Sequence, residues 1–552
     1  MATKNLSKVY SAELEGIDAK LIEVEVDINV GLHSFTIVGL PDKALNEARE
    51  RVNSALKNSG ARPPNRENRR ITVNLAPADV KKRGAQYDLA IAIGYLLSTG
   101  QMRPFDARGK LFIGELALDG RLRPVNGALN IAEAARDLGF EYLFLPRGNA
   151  AEAGAIEGLG IFPLEKLSDA LRLLGAPLTM TMSVRAHDAD PGADADPDAD
   201  ADAGTAPRAS ETICSADSAP PDLEAIVGQA SAKRAIVIAA AGGHNILLTG
   251  VPGIGKSMLA RALGGILPPL SPREAIEATK IWSAAGQGSG ALVAHRPFRA
   301  PHHTASMIAL VGGGQDPRPG EASLAHRGVL FLDELPEFPR RALEALREPL
   351  ESGAIRISRA RHRLVFPARF ALVAAMNPCP CGYYGDTEKA CSCAAYEVLQ
   401  YQKKVSGPLL DRIDLQIKVG RVAVGELTRD LDGGASVGGG RGGKAHDRRG
   451  ITTRAAREAV ARARHIQEAR FAKMSGALRA VNSEMNSEEA RANVALDPGA
   501  RRFLASLDGA PLSPRAYYRA LTVARTIADL DEKENVSAEH LAEALSYRLP
   551  DL

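Results

Sequence analysis

The sequence lacks the features that would tie a protein to a membrane or an export route. Along its 552 residues no apolar run approaches the ~20 residues that cross a bilayer, and the N-terminus carries no secretory pattern. A cytoplasmic protein with no membrane partner is the expectation. The chain also lacks a charge excess. Its 69 lysines and arginines nearly balance 66 aspartates and glutamates, for a formal charge of +3, so only local clusters can argue for or against nucleic acid. Cysteine is scarce: there are five, and a cytoplasmic setting argues against disulfides as their use.

Composition does divide the chain. Single cores rarely grow past ~250–300 residues, so several domains are expected. From Val184 to Pro221 the sequence is rich in Ala, Asp, Pro and Gly and almost without large apolar side chains, which reads as a disordered acidic linker holding the solitary Cys214. A glycine-rich stretch from Asp432 to Gly450 reads as a loop. The expected organisation is a first domain at 1–183, the linker at 184–221, a core at 222–430, the loop at 431–450 and a helical segment at 451–552. In the first domain, strand-like runs at Leu21–Val30, Ser34–Val38, Arg70–Asn74, Leu111–Leu116 and Tyr142–Leu145 alternate with helical patterns at Lys43–Ser59, Tyr87–Ser98 and Gly127–Leu138. That pattern predicts a compact α+β domain.

The core segment carries the chemistry. Gly250, Val251, Pro252, Gly253, Ile254, Gly255, Lys256 and Ser257 spell G-x-x-x-x-G-K-S between a short apolar run, Asn245–Thr249, and a helix-compatible one, Met258–Gly264. A glycine loop at a strand-to-helix junction lets backbone N–H groups wrap phosphates. Lys256 then reaches the β and γ oxygens of ATP and Ser257 ligates Mg²⁺. Further on, Val329–Leu332 is wholly apolar, as in a strand buried on both faces of a parallel α/β sheet, and delivers Asp333 and Glu334 at its carboxyl end. Asp333 is placed on the Mg²⁺ shell and Glu334 on the attacking water, because phosphoryl transfer demands positioning and charge compensation. Either motif alone could be a tight turn or a solvated strand end; the pair, in order and context, predicts an ATPase.

Three further features stand out. In Ala354–Phe370, alternating Ile355, Ile357, Leu364 and Phe366 flank Arg359, Arg361 and Arg363. This predicts a β-hairpin with a cationic tip suited to DNA phosphates, unless its arginines pair with nearby carboxylates. Cys379, Cys381, Cys391 and Cys393 form two C-x-C pairs, suited to tetrahedral Zn²⁺ though tighter than the usual C-x-x-C, with reduced free thiols as the alternative. Adjacent His302 and His303 invite a metal reading, but neighbouring side chains diverge on most backbones, so a structural or DNA-loop role is expected.

The runs GGHNILLTG, RPFRAPHHTAS, FLDELPEF, NPCPCGYYGD and SGPLLDRIDL make the chain similar, over nearly its whole length, to the magnesium-chelatase-like AAA+ ATPases of the ComM/YifB family. The resemblance implies an AAA+ P-loop core with a helical lid. It places Gly228 and Gln229 beside the adenine pocket, and it makes Asn377 a sensor that orients the attacking water, the alternative being a plain strand-end Asn. Arg412 becomes an arginine finger acting across a subunit boundary, unless it simply pairs with Asp411 or Asp414. Arg515, at the start of LSPRAYYRALTVARTIADL, becomes a second sensor, unless it is a solvated helix-start residue. His295–Gly314 resembles an inserted element of the same branch, and the Arg359–Arg363 tip would project into the pore of a ring.

The run GELALDGRLRPVNGALNIAEAARDLG resembles a Lon-protease-like domain. The Ser position of that family falls near Gln86 and the Lys position near Leu129–Ile131, so the dyad is missing and proteolysis is not expected. Val251 in place of a common Pro, the acidic linker and the Gly433–Gly443 insert depart from the family without removing a chemical group. The resemblance implies a homohexamer that hydrolyses ATP with Mg²⁺ to move single-stranded or branched DNA, driving branch migration of recombination intermediates in natural transformation or repair. Two alternatives stay open. One is a motor subunit for metal insertion into a porphyrin, against which the first domain, the cysteines and the arginine hairpin count. The other is a protein-remodelling ATPase, against which the absence of aromatics at the hairpin tip counts.

Overall fold

The structure, a computed structural model, describes residues 5–66, 68–175, 220–314, 317–358, 363–422, 451–474, 480–507 and 513–548. Nearly all of the expected linker, the glycine-rich loop, Cys214, Arg359 and Arg361 lie outside these residues. The chain divides into two compact units.

The first unit is built on a seven-stranded mixed sheet. In spatial order its strands are Ser34–Val38, Arg69–Ala76, Asp18–Val30, Leu6–Glu15, Lys110–Phe112, Tyr142–Pro146 and Gly160–Leu164. Asp18–Val30 alternates as a half-buried strand should: Ile22, Val24, Val26 and Ile28 are buried while Glu23, Glu25 and Asp27 face away. Leu6–Glu15 pairs with it antiparallel from Leu6 opposite Asp27 to Glu15 opposite Asp18. The Leu111–Leu116 run is broken at Gly114, whose N–H donates to the Gln86 carbonyl at 2.9 Å instead of the neighbouring strand, leaving strands at Lys110–Phe112 and Glu115–Leu116. Three rings from adjacent strands, Phe112, Phe144 and Phe162, stack with centroids 4.9 and 5.0 Å apart in the core. Helices Ala48–Asn58, Asp88–Ser98 and Ala128–Asp137 cover the sheet near their expected positions.

Residues Pro272–Val293 and Ile357–Phe366, read from sequence as part of the 222–430 core, group with this first unit. The helix Pro272–Ala284 accounts for the first of these: Gly127 N–H donates to the Ser283 hydroxyl at 3.0 Å, and Lys280 pairs with Glu133.

The second unit holds a five-stranded parallel sheet ordered Phe298–Arg299, Val329–Leu332, Ala371–Met376, Ile246–Thr249, Leu415–Lys418. Val329–Leu332, Ala371–Met376 and Ile246–Thr249 are buried at every position, which is why each reads as a continuous apolar run. The first of these strands in the chain, Ile246–Thr249, lies between the last two, so the strand order reverses on either side of it, and α/β sheets take their ligands at such a reversal. Among the described residues five α-helices follow Ile451: Thr453–Ala472, Ser487–Asn493, Pro498–Ser506, Pro514–Leu530 and Ala538–Ser546. Each is capped by a side chain, from Thr452, Asn486, Asp497, Ser513 and Ser537, accepting a backbone N–H three residues on. Their Val460, Phe471, Leu521, Ile527 and Leu541 share one core with Ile246 and Leu248. No described helix is long and apolar enough to cross a membrane.

Candidate functional site

Parallel pairing brings the carboxyl ends of three strands side by side, with Thr249 opposite Met376 on one flank and Lys418 on the other. Beyond Thr249 the chain cannot carry a side chain at Gly250, where a Cβ would lie 2.6 Å from the Val419 carbonyl oxygen. It then turns at Gly255 (φ 89°) into the helix Lys256–Ile266, whose first N–H groups are left facing the loop. Lys256 Nζ donates to the carbonyls of Gly250 at 2.7 Å and Val251 at 2.9 Å, and to Asn377 Oδ1 at 2.9 Å. Burial lowers its pKa, while Asp333 and Glu334 pull the other way.

Ser257 Oγ donates to Asp333 Oδ2 at 2.7 Å. Two oxygen donors at that separation, on a helix N-terminus, suit a hard divalent cation carrying phosphate. Next to them Glu334 takes a left-handed conformation (φ 51°), and its side chain is half exposed. His303 Nδ1 lies 3.4 Å from Glu334 Oε2, and the His302 and His303 rings lie tilted by 34° with centroids 4.1 Å apart. His303 was expected to be structural or part of a DNA loop; its place beside Glu334 could not be read from two adjacent histidines. The loop therefore joins Lys256, Ser257, Asp333 and Asn377 by direct hydrogen bonds, with Glu334 adjoining them.

Arg412 and Arg515 are held elsewhere. Arg412, nearly buried, donates through Nη1 to the Pro408 carbonyl at 2.6 Å and through Nη2 to Glu351 Oε2, and its Nε is buried without a partner. Arg515 Nη2 donates to the other Glu351 oxygen at 2.6 Å. The two arginines hold the Glu351 carboxyl below the usual glutamate range, the Arg412 hydrogen bond contributing most. Neither sequence-expected partner of Arg412 is engaged with it. Asp414 is fully buried against Arg519 at 2.7 Å, His244 at 3.4 Å and the Asn245 N–H at 3.0 Å. Glu351 escaped the sequence reading because it sits among the ordinary charges of a surface helix, Arg347–Ser352.

The cationic hairpin forms from Ala354–Ser358 and Arg363–Pro367, with Ile355 and Phe366 buried and Arg363 exposed. Arg356 at its base pairs with Glu348 at 3.3 Å. Four sulfurs converge nearby in sequence. Cys379 Sγ lies 3.3 Å from Cys381 and 3.7 Å from Cys391, Cys381 lies 3.5 Å from Cys391, and all four sulfurs including that of Cys393 lie within 4.8 Å of one another. Tetrahedral Zn²⁺ with bonds near 2.3 Å separates its sulfurs by about 3.8 Å, so the donor set has the right chemistry and size. The backbone N–H groups of Tyr383 and Ser392 pull the Cys381 thiol below the usual range, while burial and the neighbouring sulfurs push the Cys391 and Cys393 thiols above it, as close thiols competing for one negative charge do. In the first unit, Gln86 donates to the Ala12 carbonyl at 3.3 Å and to Glu13, and Leu129 is fully buried, so neither position offers a nucleophile or a base.

Comparison with known proteins gives this geometry its family. Residues 222–427 match the magnesium chelatase ChlI subunit family, residues 24–149 a second ChlI region, and residues 450–548 the ChlI C-terminal region. The competence protein ComM of Haemophilus influenzae is 41% identical over 549 residues, 99% of this chain and 97% of its own. YifB of Escherichia coli is 40% identical over 549 residues, 99% of this chain and 98% of its own. A magnesium-chelatase 38 kDa subunit of Cereibacter sphaeroides is 29% identical over 177 residues, 28% of this chain and 52% of its own. Identity that runs nearly the full length of ComM and YifB, over a chain whose Gly250–Ser257 loop meets Asp333 at the carboxyl end of the sheet, places it in the ComM/YifB family of magnesium-chelatase-like AAA+ proteins.

Proposed function

We propose that the chain is an ATP-hydrolysing motor that assembles as a homohexameric ring on DNA and drives branch migration of recombination intermediates. The observation that carries the motor is the convergence of Lys256, Ser257, Asp333 and Asn377 at one sheet edge. In this reading Gly250–Ser257 wrap the triphosphate, Lys256 meets the β and γ oxygens, Ser257 and Asp333 hold Mg²⁺, and Glu334 polarises the water. Asn377 orients that water. Arg412 leaves Glu351 to act on the nucleotide of a neighbouring subunit, Arg515 acts as the second sensor, and the helices after Ile451 form the lid.

The DNA assignment rests on the arginine hairpin, with Arg363 exposed at its described edge, and on the competence-related name of a relative aligned along nearly the whole chain. The first unit is taken as a Lon-protease-like fold without catalysis, and the four cysteines as a structural zinc site. ATP turnover measured with no DNA, single strand, duplex and a four-way junction tests the reading. Strong stimulation by the junction is expected; turnover indifferent to every DNA would move the motor to a protein or metal-insertion partner.

A further inference from the structure

The four-cysteine cluster is not a remote knuckle. The chain leaves the strand Ala371–Met376 at Asn377, which accepts the Lys256 ammonium, passes Pro378, and reaches the fully buried Cys379 two residues later. Between the two cysteine pairs the loop lies against the phosphate loop. Gly382 (φ 88°) sits so close to Pro252 that a Cβ would lie 2.7 Å from both Cγ and Cδ of that ring, and 4.0 Å from Asn377 Cγ. Pro252 follows Val251, whose carbonyl is one of the acceptors for Lys256.

The far side of the same loop is pinned to another part of the site. Asp386, almost without exposure, accepts two hydrogen bonds from Arg421, at 2.9 and 2.7 Å, and Glu388 lies 3.1 Å from the same guanidinium. Arg421 follows Gly420, whose carbonyl accepts Gln229 Nε2 at 2.6 Å. Gln229 is the residue placed beside the adenine pocket. One loop between two pairs of metal-type ligands thus bears on the phosphate loop at Pro252 and, through Arg421, on the segment that holds Gln229.

We propose that a thiolate-bound zinc ion at Cys379, Cys381, Cys391 and Cys393 holds the nucleotide site in its binding form, so that metal loading sets ATP affinity. The inference rests on the zinc reading and goes beyond it by coupling the metal to the nucleotide. The mechanical reason is that no regular secondary structure holds Pro378–Ala394; the cysteine cluster, the Asp386–Arg421 pair and Gln402 Nε2, which donates to the Pro378 carbonyl at 3.1 Å, fix it to its surroundings, and a bound metal converts four neighbouring thiols into one rigid centre. Loss of the metal frees Gly382 to withdraw from Pro252, and the carbonyls around Lys256 lose their backing.

The experiment uses the purified full-length chain under reducing conditions, with zinc measured by elemental analysis and affinity for a fluorescent ATP analogue measured beside it. About one zinc per chain is expected, and its removal by a chelator should weaken nucleotide binding by about tenfold, with recovery on adding zinc back. Gly382→Val, which leaves all four cysteines in place, should retain zinc and still weaken binding. Unchanged affinity after zinc removal would overturn the coupling while leaving the zinc site standing. A folded chain that never holds metal would overturn the zinc reading itself. Wild-type affinity in a zinc-loaded Gly382→Val protein would show that the contact with Pro252 transmits nothing, and would equally overturn the coupling.

Discussion

Ser257 Oγ donates to Asp333 Oδ2 at 2.7 Å, joining two motifs that lie 76 residues apart in the chain. A hydroxyl and a carboxylate that share one hydrogen bond already stand where a cation bound to phosphate needs two of its oxygens. Ser257→Ala and Asp333→Asn are therefore expected to abolish the difference between nucleotide affinity in Mg²⁺ and in EDTA. Equilibrium binding of an ATP analogue under both conditions checks this; a variant with a wild-type Mg²⁺ effect would remove its residue from the metal shell.

Lys256 and Glu334 should fail in different ways. Lys256→Ala removes the ammonium hydrogen-bonded to the Gly250 and Val251 carbonyls and should lose nucleotide binding. Glu334→Gln keeps its shape, should bind ATP normally, and should turn over at least ~100-fold more slowly, the usual cost of losing a positioned base. Near-normal turnover in Glu334→Gln would refute its role on the water.

Arg412 and Arg515 share Glu351, one oxygen each. Arg412→Ala should bind ATP and hydrolyse it about 10³-fold more slowly, the scale of a missing arginine finger. Mixing it with Lys256→Ala protein should restore part of the activity if the arginine serves a neighbour's nucleotide. No rescue at any mixing ratio would confine Arg412 to its pairing with Glu351 and the Pro408 carbonyl.

Replacing Arg359, Arg361 and Arg363 together should weaken DNA binding for all sequences alike and lower the log–log salt slope by about 2, since each phosphate contact to single strand contributes ~0.7. Titration at several salt concentrations measures it, and an unchanged slope would take the hairpin off the DNA.

Glu13 in the first unit is pushed up to about 7, chiefly by burial, with its Tyr87 hydrogen bond and the Arg83 N–H pulling the other way. A carboxyl whose folded pKa exceeds its unfolded value near 4.5 binds its proton more tightly in the folded state. The stability it contributes is complete below that unfolded value and is lost as pH rises through about 7. Glu13→Gln should match wild type near pH 4.5 and be more stable at pH 8, by at most ~3 kcal/mol. Hydrogen exchange in the Leu6–Glu15 and Asp18–Val30 strands reads the difference; a pH-independent gap would mean that Glu13 titrates alike in the folded and unfolded chain.

The sequence disclosed most where burial is uniform or chemistry is dense. Ile246–Thr249 and Val329–Leu332 are legible because both faces are covered. Leu6–Glu15 was missed because its buried positions include the small or polar Ser11, Ala12 and Glu13, covered on both faces, which blurs the alternation of a strand. Within the site, Lys256, Ser257, Asp333 and Asn377 each belong to a local motif, and hydrogen bonds join Lys256 to Asn377 and Ser257 to Asp333. Glu351 and His303 act through partners distant in sequence, a relationship that only the folded chain creates.

The most direct measurement is conversion of a synthetic four-way junction to its strand-exchanged products by the purified chain with ATP and Mg²⁺, run beside Glu334→Gln. Wild-type protein should convert the junction only while ATP is hydrolysed, and Glu334→Gln should bind the junction and leave it intact. Brisk hydrolysis by the wild type with no junction conversion, or equal conversion by both proteins, would contradict an ATP-driven branch-migration motor.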